Sequence, residues 1–186
     1  MSTQLRPTDV KRLNRQWRRR TNGRISLIVE SVTQPFNLGS ILRTSATLGV
    51  DTIWLTGNAI TPDHPQVGKT ALGTDAKVTW EKLATTGEAV TAARAAGYRI
   101  VAIELARDAL PLHDTPLTGD ICLAVGAEDH GCSPALLAAA DATAYIPQIG
   151  RVGSLNVATA TAIAIAETRR REWETLPATA DDPAMH

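Results

Sequence analysis

The sequence is poor in the residues that build metal sites and disulfide frameworks. It contains two cysteines, Cys122 and Cys132, and four histidines that are scattered without ligand spacing. Two cysteines are too few for a disulfide framework or a cysteine-based zinc site, and Cys122 lies inside an apolar run. We therefore predict that both cysteines are reduced and structural, and we expect no metal ion.

Long hydrophobic runs are also absent. No stretch of about 18 consecutive apolar residues occurs, so no transmembrane helix is predicted. The N-terminus is rich in arginine and too polar for a signal peptide. We therefore expect a cytoplasmic protein. We also expect one globular domain, because 186 residues with 44% hydrophobic side chains suffice for one core.

Three common catalytic signatures are missing as well. Gly68-Lys69-Thr70 resembles the end of a phosphate-binding P-loop, but Asp63 stands where that motif needs its first glycine. Gly153-Ser154-Leu155 lacks the flanking glycine pattern of a serine hydrolase, and the turn GAEDHG is not a dinucleotide fingerprint. Nucleoside triphosphate hydrolysis and serine hydrolysis are thereby excluded.

Net charge is zero, but it is unevenly distributed. Residues 1–24 carry eight basic side chains against the single acid Asp9, a balance of +7. The other 162 residues carry eleven basic and eighteen acidic side chains, a balance of −7. Such asymmetry indicates a polyanion partner, and the alternative is a solvated amphipathic helix.

The basic N-terminal segment has helical spacing over residues 10–20. Leu13 and Trp17 are four residues apart and share one face, while arginines occupy the rest. Trp17 could stack on a base or dock the segment onto the body of the protein. We predict docking, which is the commoner role of an aromatic residue at this spacing.

Strands alternate with helices through the rest of the chain. Strands are predicted at Ile25–Glu30, 52–55, 99–105, Ile121–Val125 and up to residue 146, and helices from Asn37 or Ser40 to Gly49, over 87–96, over 134–140 and from 157 onward. This alternation predicts an α/β domain with a mainly parallel sheet and helices on both faces. Ligands bind such sheets at the carboxyl ends of the strands.

Polar residues that a core does not require follow three of these strands. They are Asn37 and Arg43, then Glu128, then Ser154 and Asn156. Arg43 is expected near the positive end of a helix dipole, which favours anion contact over the alternative of a solvent-facing arginine. Gly150 and Gly153 predict a tight loop of close approach, and the apolar residues 157–166 predict a buried helix.

These residues resemble three ordered motifs of the SpoU, or TrmH-like, branch of the SPOUT superfamily of RNA methyltransferases. The first runs from Asn37 through Gly39 to Arg43. The second is Gly126-Ala127-Glu128 after an apolar strand, and the third is Ile146-Pro147 followed by Ser154-Leu155-Asn156-Val157. The resemblance covers about residues 25–173. Gln148, Arg151 and Gly153 depart from the usual family pattern.

The resemblance implies a homodimer that binds S-adenosyl-L-methionine in a C-terminal trefoil knot, at about residues 121–173, and methylates a ribose 2′-hydroxyl in RNA. It implies cofactor contacts by Ile103, Gly126, Ile146 and Leu155. The implied catalytic residues are Arg43, Asn37, Glu128, Ser154 and Asn156. Since a guanidinium group stays protonated, we expect Arg43 to bind phosphate and stabilise developing charge, and the alternative is that Arg43 is the proton acceptor.

The resemblance also suggests how the chain is divided and what it modifies. Residues 1–24 would be a basic RNA-binding arm, 25–173 the methyltransferase domain and 174–186 a polar tail. The arm resembles that of transfer-RNA Gm18 enzymes, and Arg169, Arg170 and Arg171 resemble their basic C-terminal helix end. The expected RNA contacts are Lys11, Arg12, Arg15, Arg18, Arg19 and Arg20. Ribosomal RNA is the alternative substrate, and a non-catalytic RNA-binding module is the alternative of another class.

Overall fold

A seven-stranded parallel sheet forms the centre of the protein. The computed structural model describes residues 3–175. Within that range the strands are β1 Ile25–Glu30, β2 Thr52–Thr56, β3 Thr79–Lys82, β4 Arg99–Ile103, β5 Leu110–Pro111, β6 Ile121–Val125 and β7 Ala142–Tyr145. Their order in the sheet is β3-β2-β1-β6-β4-β7-β5, and every pairing is parallel. The predicted mainly parallel sheet is confirmed.

Helices cover both faces of the sheet, as predicted. The described helices are α1 Pro7–Arg20, α2 Pro35–Leu48, α3 Val67–Ala71, α4 Thr86–Ala95, α5 Pro134–Ala139 and α6 Val157–Glu174, with short 3-10 helices at Asp75–Lys77 and Leu112–Asp114. One apolar cluster packs α2 and α6 against the sheet, and a second packs α4 and α5. Burial on both faces explains why β1 and β6 are almost continuously apolar.

Strand β6, at the centre of the sheet, brings distant parts of the chain together. β6 pairs with β1 through Ile25 and Ile121, and with β4 through Arg99 and Ile121. β4 then pairs with β7 in parallel, so the carboxyl ends of these strands meet at one edge. That edge positions the candidate site.

Several predicted boundaries differ from the structure. β4 ends at Ile103, two residues earlier than predicted, and α2 begins at Pro35 rather than at Asn37 or Ser40. Proline suits the first turn of a helix because its missing amide has no partner to lose there. Gly49 ends α2 with a left-handed φ of 68°, as the predicted helix end requires.

Two edge strands and α3 were not predicted. β3 has only partly buried or exposed side chains, and β5 is two residues long, so neither shows a strand-like apolar pattern. Residues 157–166 are buried on one face only, through Ala158, Thr161, Ala164 and Ile165, while Ile163 is exposed. The prediction of a helix buried all round was wrong, because apolar composition does not say which face is covered.

Both cysteines are buried and free. Burial raises the pKa of the Cys122 thiol to about 12, and burial with the nearby carboxylates of Glu104 and Glu30 raises that of Cys132 further. Both side chains are therefore neutral thiols at physiological pH, which confirms their structural assignment.

Three further expectations concern membrane spans, the polar tail and the trefoil knot. None of the helices between residues 3 and 175 combines the length and apolar character needed to cross a membrane. Most of the predicted polar tail lies outside the described residues. The trefoil knot implied by the resemblance stays a prediction.

Candidate active site

A cavity of about 400 Å³ lies at the carboxyl ends of β4, β6 and β7. Residues 103–105 form one wall, residues 125–131 a second, and the stretch from Tyr145 to Ala160 a third. The volume falls in the range of roughly 300–1,000 Å³ that is typical of small-molecule sites. The edge of the sheet at which parallel strands are expected to bind ligands therefore contains a cavity.

The four residues expected to contact a cofactor all line this cavity: Ile103, Gly126, Ile146 and Leu155. Glu128 and Ser154, from the expected catalytic set, line it as well. Asn37, Arg43 and Asn156 lie outside the lining. The fold thus brings six of the nine expected site residues to one cavity, and their roles stay predictions.

The loop after β6 closes on itself. The Ala127 amide donates to the Gly131 carbonyl and the Gly131 amide to the Ala127 carbonyl, each at 3.0 Å. A Cβ atom at Gly126 would overlap the backbone of Gly131 and Cys132. Glycine is therefore the residue that lets the start and end of this loop touch.

The loop between β7 and α6 is open, and the prediction of a tight turn there was wrong. A Cβ atom at Gly150 or Gly153 would meet no protein atom within 4 Å, and neither glycine has a positive φ. Ile149 and Val152 are exposed. The presence of a glycine in the sequence does not show whether a side chain at that position would overlap neighbouring atoms or meet open space.

Three of the expected catalytic side chains form one hydrogen-bonded chain. Asn37 Nδ2 donates to Glu128 Oε1 at 2.9 Å, and Asn156 Nδ2 donates to Asn37 Oδ1 at 2.9 Å. Asn156 also caps α6, since its Oδ1 accepts from the Ala158 and Thr159 amides. Residues from α2, the β6 loop and the start of α6 are thereby fixed relative to one another.

Glu128 is held as an anion. Burial alone would raise the pKa of its carboxyl group, but hydrogen bonds from the Asn37 side chain and from the Gln34 and Thr33 amides outweigh burial and lower the pKa below its ordinary value. Such a carboxylate is a poor proton acceptor at neutral pH. It acts better as a fixed hydrogen-bond acceptor and negative charge.

Ser154 and Arg43 are less constrained. Among the described residues, neither side chain has a hydrogen-bond partner, and both residues are exposed. Because α2 begins at Pro35, Arg43 is the ninth of its fourteen residues and lies away from the positive end of the helix dipole. The dipole argument for Arg43 was therefore wrong, but its side chain is free to meet an anion.

The cavity lining carries negative charge. Glu104, Glu128 and Asp129 contribute carboxylates, no lysine or arginine occurs among the lining residues, and His130 contacts Asp129 at 2.5 Å. The remaining lining is largely apolar and includes Leu105, Val125 and Val157. Such a site favours a ligand with positive charge and apolar surface over a polyphosphate.

Comparison with known proteins identifies the family. The sequence matches the SpoU rRNA Methylase family over residues 24–166, which is more than half of the chain. The chain belongs to the SpoU family. The SpoU branch named from the three motifs is thereby confirmed.

Relatives of this SpoU chain act on two kinds of RNA. This chain is 32% identical over 155 residues to the tRNA (guanosine(18)-2′-O)-methyltransferase of Thermus thermophilus, and the match covers 82% of this chain and 78% of that protein. It is 30% identical over 146 residues to the 23S rRNA (guanosine-2′-O-)-methyltransferase RlmB of Acinetobacter baylyi, covering 78% and 59%. The chain spans 55% to 63% of the length of other curated relatives that it matches, including the Escherichia coli tRNA (guanosine(18)-2′-O)-methyltransferase at 63%.

Solved structures agree with the SpoU assignment. The AdoMet-bound rRNA methyltransferase of Sinorhizobium meliloti superposes with a TM-score of 0.76 at 31% identity, over 84% of this chain and 59% of that one. A protein of the TrmH family from Porphyromonas gingivalis gives a TM-score of 0.72 at 32% identity, over 81% of this chain and 61% of that one. The seven-stranded parallel sheet of this chain therefore matches the fold of these methyltransferase structures.

Helix α1 of this SpoU chain presents its cations to solvent on one face. Five of the six expected RNA-contact residues are exposed, namely Lys11, Arg12, Arg15, Arg18 and Arg19. Their spacing of one, four, seven and eight residues from Lys11 is that of a single helical stripe. The sixth, Arg20, lies over the Trp17 ring, with its guanidinium carbon 5.1 Å from the ring centroid.

The opposite face of α1 docks onto α6. Trp17 packs against Trp173 with ring centroids 4.8 Å apart, and Trp173 Nε1 donates to Thr21 Oγ1 at 2.9 Å. The prediction that Trp17 docks the arm is confirmed. The basic stripe is consequently held on a folded surface.

The end of α6 is less basic than its sequence suggests. Arg169 is 3% exposed and donates to the carbonyls of Leu48, Gly23 and Gly49, at 2.6–2.9 Å. It also pairs with Glu172. The resemblance of Arg169 to an RNA-binding helix end was therefore misleading, because this arginine bonds α6 to the segment between α1 and β1 and to the end of α2.

The two arginines that follow are paired with acids on the same helix. Arg170 bonds Glu167 and Glu174, and Arg171 bonds Glu167. Their charge toward RNA is reduced accordingly. The basic surface of this chain is α1 rather than the end of α6.

Sequence reasoning missed Glu104, Asp129 and His130 in the cavity lining. Glu104 immediately follows β4, and a polar residue directly after an apolar strand is the signal that could have found it. The strand was predicted to extend to residue 105, which hid that signal. Asp129 and His130 lie next to Glu128 in the same loop.

Proposed function

We propose that this protein is an S-adenosyl-L-methionine-dependent RNA methyltransferase that methylates a ribose 2′-hydroxyl, with tRNA as the first choice of substrate. The observation that carries the proposal is the joining of an acidic cavity to the Asn37–Glu128–Asn156 chain at one sheet edge. A ligand pocket and a polar site for a second substrate are then adjacent. Transfer between two bound substrates needs that arrangement.

The lining fits S-adenosyl-L-methionine in charge and apolar character. That cofactor would supply a methyl group on a positively charged sulfonium; as the ribose oxygen takes the methyl group, the methyl–sulfur bond breaks and a neutral thioether leaves. Glu104, Glu128 and Asp129 place negative charge around a site for cationic groups, and Ile103, Ile146 and Leu155 offer apolar contact. Gly126 leaves backbone groups uncovered by a side chain.

The chain's own residues would orient the ribose and its phosphate. Glu128 fixes Asn37 and Asn37 fixes Asn156, so the remaining hydrogen-bonding groups of both side chains have fixed directions. Arg43 is exposed without an acidic partner in the described part of the chain, and it would bind a phosphate and stabilise charge developing on the hydroxyl oxygen. It would not take the hydroxyl proton, because a guanidinium group stays protonated.

The exposed stripe on α1 supports an RNA substrate. Phosphate contacts from lysine and arginine supply most sequence-independent RNA affinity, and α1 offers five such side chains. The likeness of this arm to that of transfer-RNA Gm18 enzymes favours tRNA, and a relative at 32% identity bears that name. Ribosomal RNA is the second choice, in line with the RlmB relative.

We further infer that two copies of the chain form a homodimer in the cytoplasm, where tRNA is found. Ile149 and Val152 in the loop before α6 are exposed, as are Leu155 and Ile163. Apolar side chains at this density next to a site are typical of surfaces that a partner covers. Sedimentation or light scattering of the full chain would test the assembly.

Replacing Arg43 tests the proposed chemistry. We expect Arg43→Ala to lower the rate of methyl transfer at saturating RNA by about 100-fold or more, since loss of one transition-state donor has that order of effect. Cofactor affinity, measured by calorimetry, should be unchanged. Arg170→Ala, which removes an arginine paired on α6, is the matched control. Near-normal transfer by Arg43→Ala with unchanged RNA affinity would refute the assignment.

One observation favours a function of another class, a non-catalytic RNA-binding module. Arg43 lies outside the cavity lining, with no bond to the Asn37–Glu128–Asn156 chain among the described residues. Calorimetry with S-adenosyl-L-methionine separates the two functions. Binding to the wild-type chain supports the enzyme, whereas no heat with or without RNA supports the module.

A further inference from the structure

Glu104 is a cavity residue to which the proposed chemistry assigns nothing beyond its negative charge. It follows β4 directly and lies on the first wall of the cavity. Its Oε2 accepts from the Cys132 amide at 2.8 Å and its Oε1 from the Leu105 amide at 2.9 Å. The side chain therefore reaches from the β4 wall to the end of the loop after β6.

The backbone of Glu104 reaches the third wall. Its amide donates to the carbonyl of Ala144 at 2.9 Å, which extends the pairing of β4 with β7. One residue thus links the first wall to Cys132, which directly follows the second wall, and to Ala144, which directly precedes the third. Among the described side chains that line the cavity, Glu104 is the one that bonds the end of that loop.

The loop is built to receive this carboxylate. Gly131 has a φ of 69°, and a Cβ atom there would overlap the carboxylate of Glu104. Glycine at this position both permits the left-handed backbone and leaves space for the Glu104 side chain. Closure of the loop by the Ala127–Gly131 bonds, and its contact with Gly126, place the Cys132 amide where Glu104 accepts it.

A second carboxylate holds the next amide but stays outside the cavity. Glu30 accepts from the Ser133 amide and hydroxyl at 2.8 Å, and from Thr86 Oγ1 at 2.5 Å. It is 7% exposed and does not line the cavity. Glu30 therefore anchors the start of α5, whereas Glu104 sets the distance between two cavity walls.

We propose that Glu104 is a positioning residue that sets the conformation of the loop of residues 126–131 for cofactor binding. The inference rests on the proposed function, since it assigns the cavity to S-adenosyl-L-methionine. The carboxylate acts through the Cys132 amide rather than by contact with the cofactor. A loop free of this bond would sample several backbone positions, and binding would have to order it.

The test compares variants of the full chain by calorimetry with S-adenosyl-L-methionine, thermal unfolding and amide hydrogen exchange. We expect Glu104→Ala to raise the Kd tenfold or more and to lose protection at the Cys132 amide without cofactor. Glu104→Gln keeps one acceptor oxygen, so both effects should be smaller. Glu30→Ala, the matched control, should lower the unfolding temperature while the Kd stays within about threefold.

Each outcome decides a separate question. A Kd unchanged in Glu104→Ala overturns the inference, as does a rise in Kd with Cys132 protection intact, which indicates direct cofactor contact. Equal loss of affinity in Glu30→Ala at equal loss of stability also overturns it, in favour of a general structural role. If the wild-type chain binds no cofactor, the proposed function fails, while exchange at Cys132 still shows whether Glu104 orders the loop.

Discussion

The cavity edge and helix α1 hold polar groups in opposite ways. At the cavity edge, carboxylates and amides bond one another across up to 119 residues of sequence, as in the Asn156–Asn37 contact. On α1, five cations face solvent, and the helix is docked through Trp17 on its other face. A small ligand needs fixed groups around it, whereas phosphates need accessible charge. The polar groups at the cavity edge are therefore fixed by hydrogen bonds, whereas those on α1 are exposed to solvent.

The strongest test of the cavity edge is steric. Gly126→Ala places a methyl group against the backbone of Gly131 and Cys132, which cannot move as a flexible side chain would. We expect a loss of about 3 kcal/mol or more in the free energy of unfolding, measured in urea. Gly153→Ala, where the new atom meets nothing within 4 Å, should change it by less than about 0.5 kcal/mol. Equal stability of both variants would show that the loop adapts.

Arg169 tests whether a cation near α1 belongs to the structure or to the RNA surface. Arg169→Ala leaves three backbone carbonyls without their donor in a buried site, and it removes the cation paired with Glu172, which keeps its bonds from the Asn22 and Gly23 amides. We expect a loss of about 3–5 kcal/mol in unfolding free energy. Arg170→Ala, on the exposed side of the same helix, should leave the urea midpoint nearly unchanged. A stable Arg169→Ala variant with weakened RNA binding would reverse this assignment.

The solvent face of α1 should act through salt-dependent affinity alone. Replacing Arg15, Arg18 and Arg19 together by glutamine removes three exposed cations that have no acidic partner among the described residues, and it keeps good helix formers. If each meets a phosphate, the slope of log Kd against log salt should fall by about 2–3, and the unfolding temperature should hardly change. Filter binding of tRNA at several salt concentrations measures the slope.

A control for α1 comes from α6 and is compared for each charge removed. Replacing Arg170 and Arg171 by glutamine removes two cations that are paired with Glu167. We expect a smaller change in slope for each charge removed. An unchanged slope in the α1 variant would show that the RNA does not follow this helix.

The smallest expected effect concerns the pH dependence at Glu128. Its folded pKa lies below the ordinary value of 4.5, so its bonds stabilise the folded state above about pH 4.5, and this contribution is lost as pH falls through the folded pKa. The stability advantage of wild type over Glu128→Gln should be less than about 1 kcal/mol at pH 7, since the side chain is partly solvated. Urea unfolding from pH 7 down to pH 3 should show that advantage shrinking only below pH 4.5. An advantage that is constant with pH would mean that the charge of Glu128 contributes nothing.

Local sequence patterns predicted the structure of a segment correctly where the residues of that segment alone determine it. β1 and β6 were predicted with their observed ends, because continuous apolar runs bounded by polar residues or glycine permit little else. Gly49 and Asn156 were expected at helix ends, and both lie there. The three motifs of the family could also be found in the sequence, since each lies within a few consecutive residues.

The sequence by itself therefore determined the α/β alternation, the central strands and the order of the site residues along the chain. Only the tertiary structure decided that Arg169 is buried while Arg15 faces solvent, and that Gly126 is under steric pressure while Gly153 is not. It also decided that Glu104 joins the cavity walls. The physical reason is that burial and hydrogen bonding depend on partners brought together by the sheet, which residue type and spacing do not encode.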